Sequence, residues 1–229
     1  MNDNAPSASF PLLDGPRLAP AAGGPARQLI VLLHGVGADG NDLIGLAPYL
    51  ARELPHAAFA SPHAPFAYDM APFGRQWFSL ADRTPARMLE GIRVTTPILD
   101  RFLDLELKRH ALTDADLALV GFSQGTMTAL HVGLRRVAPC AGILGYSGVM
   151  VGGGASGELR VHPPVLLIHG DEDPVVPHSL HGPTVEALRA HGVPVEAHTC
   201  IGLGHSIGEQ GLALGVAFLR RVFGGAATA

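Results

Sequence analysis

Gly121-Phe122-Ser123-Gln124-Gly125 is the stretch that most narrows what this chain can become. An apolar run, Asp116-Leu117-Ala118-Leu119-Val120, leads into it, and a helix-like run, Thr126-Met127-Thr128-Ala129-Leu130-His131, leads out. A G-x-S-x-G pentapeptide between a strand and a helix is the setting of a nucleophile elbow, in which the serine occupies a sharp turn and its hydroxyl is exposed at the end of the strand. Strand and helix pass close together at such a turn. Glycine two residues to either side removes the Cβ atoms that would collide. In an ordinary Gly-rich turn the same letters would mean only a solvated serine, so the strand–turn–helix context carries the argument.

The rest of the chain repeats that alternation. Residues 1–27, rich in Pro, Ala and Gly, read as an arm or an edge strand. Gln28–Leu33 is continuously apolar, as a parallel strand buried on both faces should be. Leu43, Leu46, Ala47, Leu50 and Leu54 follow at helical spacing, with Asn41 or Asp42 as the candidate cap. Ala57–Ser61 is a short strand. Residues 62–85 form an aperiodic, aromatic-rich loop, and loops of that length tend to be functional. A long helix is expected over 86–110, kinked or divided at Pro97. Strands over 115–120, 141–146, 165–169 and 193–200 alternate with helices over 124–136, 180–191 and 208–223. Residues 148–157 form a glycine-rich loop without a phosphate-loop pattern. The pattern predicts an α/β fold with a mostly parallel central sheet and helices on both faces. Residues 28–229 would make one catalytic domain.

In open sheets of this kind the ligand lies beyond the carboxyl ends of the strands. The segments with chemical interest each follow a strand: His34-Gly35-Val36-Gly37, Ser123, Asp173 and His205. A serine hydroxyl needs a base within hydrogen-bond reach, and that base needs an orienting carboxylate. Ser123, Asp173 and His205 occur in the order that accompanies an elbow serine. Among twelve histidines, His205 alone combines a post-strand loop, glycine neighbours and the right order. His34 reads as support for its loop and His169 as a core residue. His178, His181, His191 and His198 read as lying on or near a surface helix or strand. Asp171 and Glu172 compete with Asp173 for the acid; Pro174 biases Asp173 towards an extended backbone. The oxyanion donors expected are the backbone N–H groups of Gln124 and of Val36, with Gly35 and Gly37 letting the second loop turn.

These segments resemble the phospholipase/carboxylesterase family of α/β-hydrolases, which includes acyl-protein thioesterases and small bacterial carboxylesterases. The matching stretches are Leu33–Asp42, Gly74-Arg75-Gln76-Trp77-Phe78, Gly121–Gly125, His169–Pro177 and Gly204-His205. The resemblance implies Ser123, Asp173 and His205 as the triad and Val36 and Gln124 as oxyanion donors. It also implies a compact hydrolase with no large lid, no metal and no cofactor, nearer a bacterial carboxylesterase branch than the eukaryotic depalmitoylating enzymes.

A cleft built from Met70, Phe73, Trp77, Phe78, Val175, Val176 and Ile207 would be apolar, which suits an acyl chain or an aromatic ester. Arg75 could meet a carboxylate or form a surface salt bridge. The expected activity is hydrolysis of short- to medium-chain carboxylic esters through an acyl-enzyme. Acyl-protein thioesterase or lysophospholipase activity, a peptidase or acyltransferase, and a non-catalytic binding protein on the same frame are the alternatives. Charged residues are only 16% of the chain and the net charge is −4, with no basic stripe, so no nucleic-acid partner is expected. A sparsely charged, apolar surface allows a homodimer. Met1–Pro6 lacks the basic and apolar regions of a signal peptide, and no apolar run reaches membrane-spanning length. Cys140 and Cys200, too few for a disulfide framework, read as buried thiols. A cytoplasmic location without stable membrane insertion is therefore expected.

Overall fold

The computed structural model describes residues 11–154 and 159–224. Its strands are β1 (Arg17–Leu18), β2 (Gln28–Leu33), β3 (Ala57–Ala60), β4 (Phe66–Ala67), β5 (Arg75–Gln76), β6 (Leu117–Phe122), β7 (Gly142–Tyr146), β8 (Val165–Gly170) and β9 (Val195–Cys200). Its α-helices are α1 (Gly40–Leu43), α2 (Ala47–Glu53), α3 (Pro85–His110), α4 (Gln124–Gly133), α5 (His181–Ala190) and α6 (Glu209–Gly224). Seven strands form one sheet in the order β1-β3-β2-β6-β7-β8-β9; every neighbouring pair is parallel except β1 with β3. The chain turns outward from β2 to β3, then crosses to the other side of β2 to lay down β6. The crevice at that reversal, above the carboxyl ends of β2 and β6, is where such sheets hold ligands.

Successive side chains of a strand point to opposite faces, and here both faces are covered. Leu29, Val31, Leu119, Ile143 and Leu167 pack under α3, α4 and α5. Ile30, Leu32, Val120, Leu144 and Ile168 pack under α1, α2 and α6. Two-sided burial explains why the central strands are unbroken apolar runs. Among the described residues no helix is long and apolar enough to cross a membrane. Cys140 and Cys200 are free and buried. At the β1 edge Arg17 forks onto the buried Glu106 of α3, with Nη2 to Oε1 at 2.8 Å, and so fastens the incoming chain.

Two helices differ from the sequence pattern. The helix expected over 41–54 is broken: α1 gives way to a 3₁₀ turn, Ile44–Leu46, before α2 begins. Pro48 has no N–H to offer the Ile44 carbonyl, so a continuous α-helix is interrupted there. Its cap is Asp39, not Asn41 or Asp42; the Asp39 carboxylate accepts the Asn41 amide at 2.8 Å. In α3, by contrast, Pro97 is tolerated and the helix is not divided. An interior proline costs about 3 kcal/mol. Burying Ile92, Ile98, Leu99 and Phe102 on both sides of it contributes roughly 1.5–3 kcal/mol each. The packing wins. The long loop at 62–85 contains the small antiparallel hairpin β4–β5. Of the glycine-rich loop, Val151–Gly154 form a 3₁₀ turn, and 155–157 lie outside the described residues, as do residues 1–10 of the arm.

Three histidines are buried near the carboxyl ends of the strands. His34 follows β2, His169 lies in β8, and His181 opens α5. His181 was expected near the surface; it is 5% exposed because α5 folds back over β8 and sets its ring against His169, with ring centroids 5.3 Å apart. Burial lowers the pKa of all three, and His169 and His178 lower that of His181 further, to about 4. The ordinary value is 6.5, so below that pH the unfolded chain takes up protons that the folded chain refuses. Stability is therefore held above pH 6.5 and lost as the pH falls towards 4. Urea unfolding of wild type should show this decline, and His181→Phe should flatten it by up to about 1.4 kcal/mol per pH unit. An unchanged slope in the variant would show that His181 titrates normally.

Candidate active site

Ser123 connects β6 to α4 with φ 53° and ψ −117°, a left-handed conformation that a residue with a side chain adopts only under constraint. The constraint is visible. The Ser123 amide donates to the Tyr146 carbonyl at 2.9 Å, and the Thr126 hydroxyl lies 2.8 Å from the carbonyls of both Gly121 and Tyr146. A Cβ on Gly121 would sit 2.4 Å from the Thr126 nitrogen, and one on Gly125 would sit 1.8 Å from the Leu33 carbonyl oxygen. Both glycines are thus required by close approach, the second because α4 is pressed against the end of β2. Ser123 itself is only 5% exposed.

His205 stands in the loop after β9. Its Nδ1 lies 2.7 Å from Asp173 Oδ2, and its ring lies 4.8 Å, centroid to centroid, from that of Phe122, the residue before Ser123. Asp173 Oδ1 accepts the amides of Val175 and Val176 at 2.8 and 2.9 Å. Burial alone would raise the Asp173 pKa, but the His205 bond and these two amides outweigh it and hold the carboxyl below its ordinary value. A carboxylate that stays ionised at Oδ2 requires His205 to carry its proton on Nδ1, which leaves Nε2 as the basic nitrogen.

The competing acids separate by geometry. Asp171 turns its carboxylate to the Gly202 amide at 2.7 Å and so anchors the loop that carries His205. Glu172 is exposed and its amide donates to Leu203 at 3.1 Å, a second tie to the same loop. Only Asp173 touches the imidazole. His169, placed in the core, also reaches this carboxylate: its Nε2 is 2.8 Å from the Val176 carbonyl and 3.3 Å from Asp173 Oδ2. Its sequence position gave no sign of that role, because the contact runs between β8 and the loop that follows it.

Val36 lies in the turn after β2. Gly37 (φ 83°) donates to Arg75 at 2.8 Å and Ala38 to Gly35 at 3.3 Å; the Val36 amide makes neither bond. Gly35 passes beside the elbow, where an added Cβ would meet the Ser123 Cβ at 3.4 Å. Gln124 opens α4, so its amide has no carbonyl four residues back. Arg75, considered for a substrate carboxylate or a surface ion pair, instead gives its Nε to the Ala64 carbonyl at 2.9 Å and props this loop.

Ser123 opens into a cavity of about 320 Å³ whose walls are mostly apolar. Of the expected wall residues Val175 and Val176 line it, together with Val36, Leu80, Arg83, Met88, Gln124, Met127, Val149, Pro177 and Leu180. Five of the expected wall residues lie elsewhere. Trp77 and Phe78 are fully buried in the core beneath α3 and α4, Met70 and Phe73 are 60% and 74% exposed, and Ile207 packs against the core on the opposite face. An apolar side chain in a loop has the same sequence signature whether it fills a core or faces a cavity. Met127 was findable, since it lies one helical turn beyond Ser123 on α4. Among the described residues no three His, Cys, Asp or Glu side chains are arranged to hold a metal ion.

Comparison with known proteins shows the family and the fold. The sequence pattern of the Phospholipase/Carboxylesterase family matches residues 19–223. Esterase YpfH of Escherichia coli (strain K12) is 27% identical over 198 residues, 86% of this chain and 83% of that protein. Acyl-protein thioesterase 1 of Saccharomyces cerevisiae is 30% identical over 167 residues, 67% of this chain and 73% of that protein. The crystal structure of esterase PE8 superposes with a TM-score of 0.88 at 40% identity, covering 92% of this chain and 99% of that one. A strained elbow serine, a paired aspartate and histidine on the same rim, and a family match across nearly the whole described chain lead to one conclusion: the chain belongs to the phospholipase/carboxylesterase family of α/β-hydrolases, a family of esterases and thioesterases.

Proposed function

We propose that this protein is a serine carboxylesterase that hydrolyses short- to medium-chain carboxylic esters through an acyl-enzyme. The observation that carries this is the placement of Ser123, on a strained turn, at the floor of a small apolar cavity on the rim that also holds the Asp173–His205 pair. In the proposed reaction His205 Nε2 takes the Ser123 proton as Oγ attacks the ester carbonyl. Asp173 holds the ring by its Nδ1–H and stabilises the imidazolium. The amides of Val36 and Gln124 receive the charge that develops on the carbonyl oxygen. Collapse of the tetrahedral intermediate releases the alcohol, which takes its proton from His205. Water, deprotonated by the same nitrogen, then frees the acid and restores Ser123.

The cavity supports the substrate class. Its volume is at the low end for a small-molecule site. Its wall is aliphatic apart from Ser123, Gln124 and Arg83, which suits an acyl chain of modest length. Thioesters present the same carbonyl to the same nucleophile and are a secondary activity in this scheme.

Ser123→Ala should remain folded and lose p-nitrophenyl butyrate turnover by a factor on the order of 10⁶ in kcat. Asp173→Asn should lose about 10⁴-fold, since the amide favours the wrong imidazole tautomer. Substantial turnover by folded Ser123→Ala would overturn the mechanism. Met127→Trp should fill part of the cavity. It is expected to lower kcat/KM for an octanoate ester relative to an acetate ester by about 10-fold, since a few methylenes of lost apolar contact are worth at least that much. An unaltered chain-length profile would remove this cavity from the acyl site.

A further inference from the structure

The two amides assigned to the oxyanion sit on different elements, Gln124 at the start of α4 and Val36 in the turn after β2, far apart along the chain. A donor pair is effective only when both N–H groups are fixed before the charge forms. The strap after β5 touches both elements. The Gln124 side chain is completely buried, and it does not point into the cavity: its Oε1 accepts the Trp77 amide at 2.9 Å and its Nε2 donates to the Phe78 carbonyl at 2.7 Å. The Trp77 indole, also completely buried, donates its Nε1–H to the His34 carbonyl at 2.9 Å. The Trp77 carbonyl in turn accepts the Thr95 hydroxyl of α3.

His34 is locked from its other side. The Ala64 amide donates to Nε2 at 3.0 Å, so Nε2 carries the lone pair, and Nδ1–H donates to the Gly35 carbonyl at 2.8 Å. Its ring is tilted against that of Trp77 with centroids 5.5 Å apart. Val36 follows directly on this Gly35 carbonyl. A continuous hydrogen-bonded path therefore runs from Gln124 through the Trp77 backbone and indole to the backbone of His34 and on to Val36.

We propose that the side chains of Gln124 and Trp77 are positioning residues that set the two oxyanion amides in register. The proposal rests on the serine mechanism above and adds to it. Gln124 has two separate parts in this scheme: its backbone N–H touches the reacting oxygen, and its side chain holds the strap. Neither side chain of the pair contacts the substrate carbonyl. The loss expected on loosening the brace is smaller than the 10²–10³ typical of deleting a donor outright, and falls on transition-state rather than ground-state binding.

Trp77 is the only tryptophan of the chain, so global replacement of tryptophan by benzothienylalanine alters this position alone and removes the N–H while keeping the bicyclic shape. The replaced protein and Trp77→Phe would be compared with wild type in kcat and KM for p-nitrophenyl butyrate. The affinity for a trifluoromethyl ketone, which forms a tetrahedral anion on Ser123, and for butyrate, a ground-state ligand, would be measured alongside. Gln124→Met would test the other end of the path, and the benzothienyl protein keeps the test decisive if that variant does not fold. Expected are a fall in kcat of about 10-fold, KM and butyrate affinity within two-fold of wild type, and ketone affinity weakened in parallel with kcat. Wild-type kcat and ketone affinity in the folded benzothienyl protein would overturn the proposal. So would a loss of kcat with ketone affinity intact, or losses confined to KM. Failure of the serine mechanism is seen separately, as persistence of activity in Ser123→Ala.

Discussion

The closeness of α4 to the end of β2 is the constraint on which the rest of this structure depends. With Gly125 lying against the Leu33 carbonyl, the helix start and the β2 loop are brought together. The same approach forces the turn between β6 and α4 to be sharp, and Ser123 takes up the strain with a positive φ. Such strain persists only where surrounding contacts over-determine it. Here they are the Tyr146 carbonyl, the Thr126 hydroxyl and two glycines without Cβ atoms.

The Asp173–His205 side of the site is built by a different device. Asp173 uses both oxygens: one is held by two successive amides, the other faces His205, with His169 beside it. The ring of His205 is thereby oriented from a loop that is itself tied down by Asp171 and Glu172. The acidic cluster after β8 thus divides its work: one carboxylate orients the His205 ring, and its neighbours secure the loop that carries it. Burial keeps His169 and His181 neutral, so the layer beneath Asp173 adds polarity without adding charge near neutral pH.

Much of the frame was legible in advance because the signals were local. Buried parallel strands are continuous apolar runs, and Gln28–Leu33 coincides with β2 to the residue. Helix ends were less legible. Pro48 broke one expected helix while Pro97 failed to divide another, because a proline's effect depends on how much apolar surface its helix buries. In the pocket, Val175 and Val176 follow a strand end and lie on the wall, whereas Trp77, Phe78, Met70, Phe73 and Ile207 do not. Periodicity tells which face of an element is apolar. An aperiodic loop has no such face, so its aromatics could not be sorted between core, cavity and solvent.

The sequence by itself determined the class of fold, the elbow around Ser123 and the order of the chemical groups, since each is written in spacing along one stretch of chain. It also narrowed the acid to three neighbouring carboxylates. Tertiary structure alone decided which of the three meets His205, that His169 shares the same carboxylate, and that Gln124 and Trp77 link the start of α4 to the backbone of His34. Those are contacts between segments brought together by the sheet. Their geometry depends on strand register and loop path, which no local pattern of residues encodes.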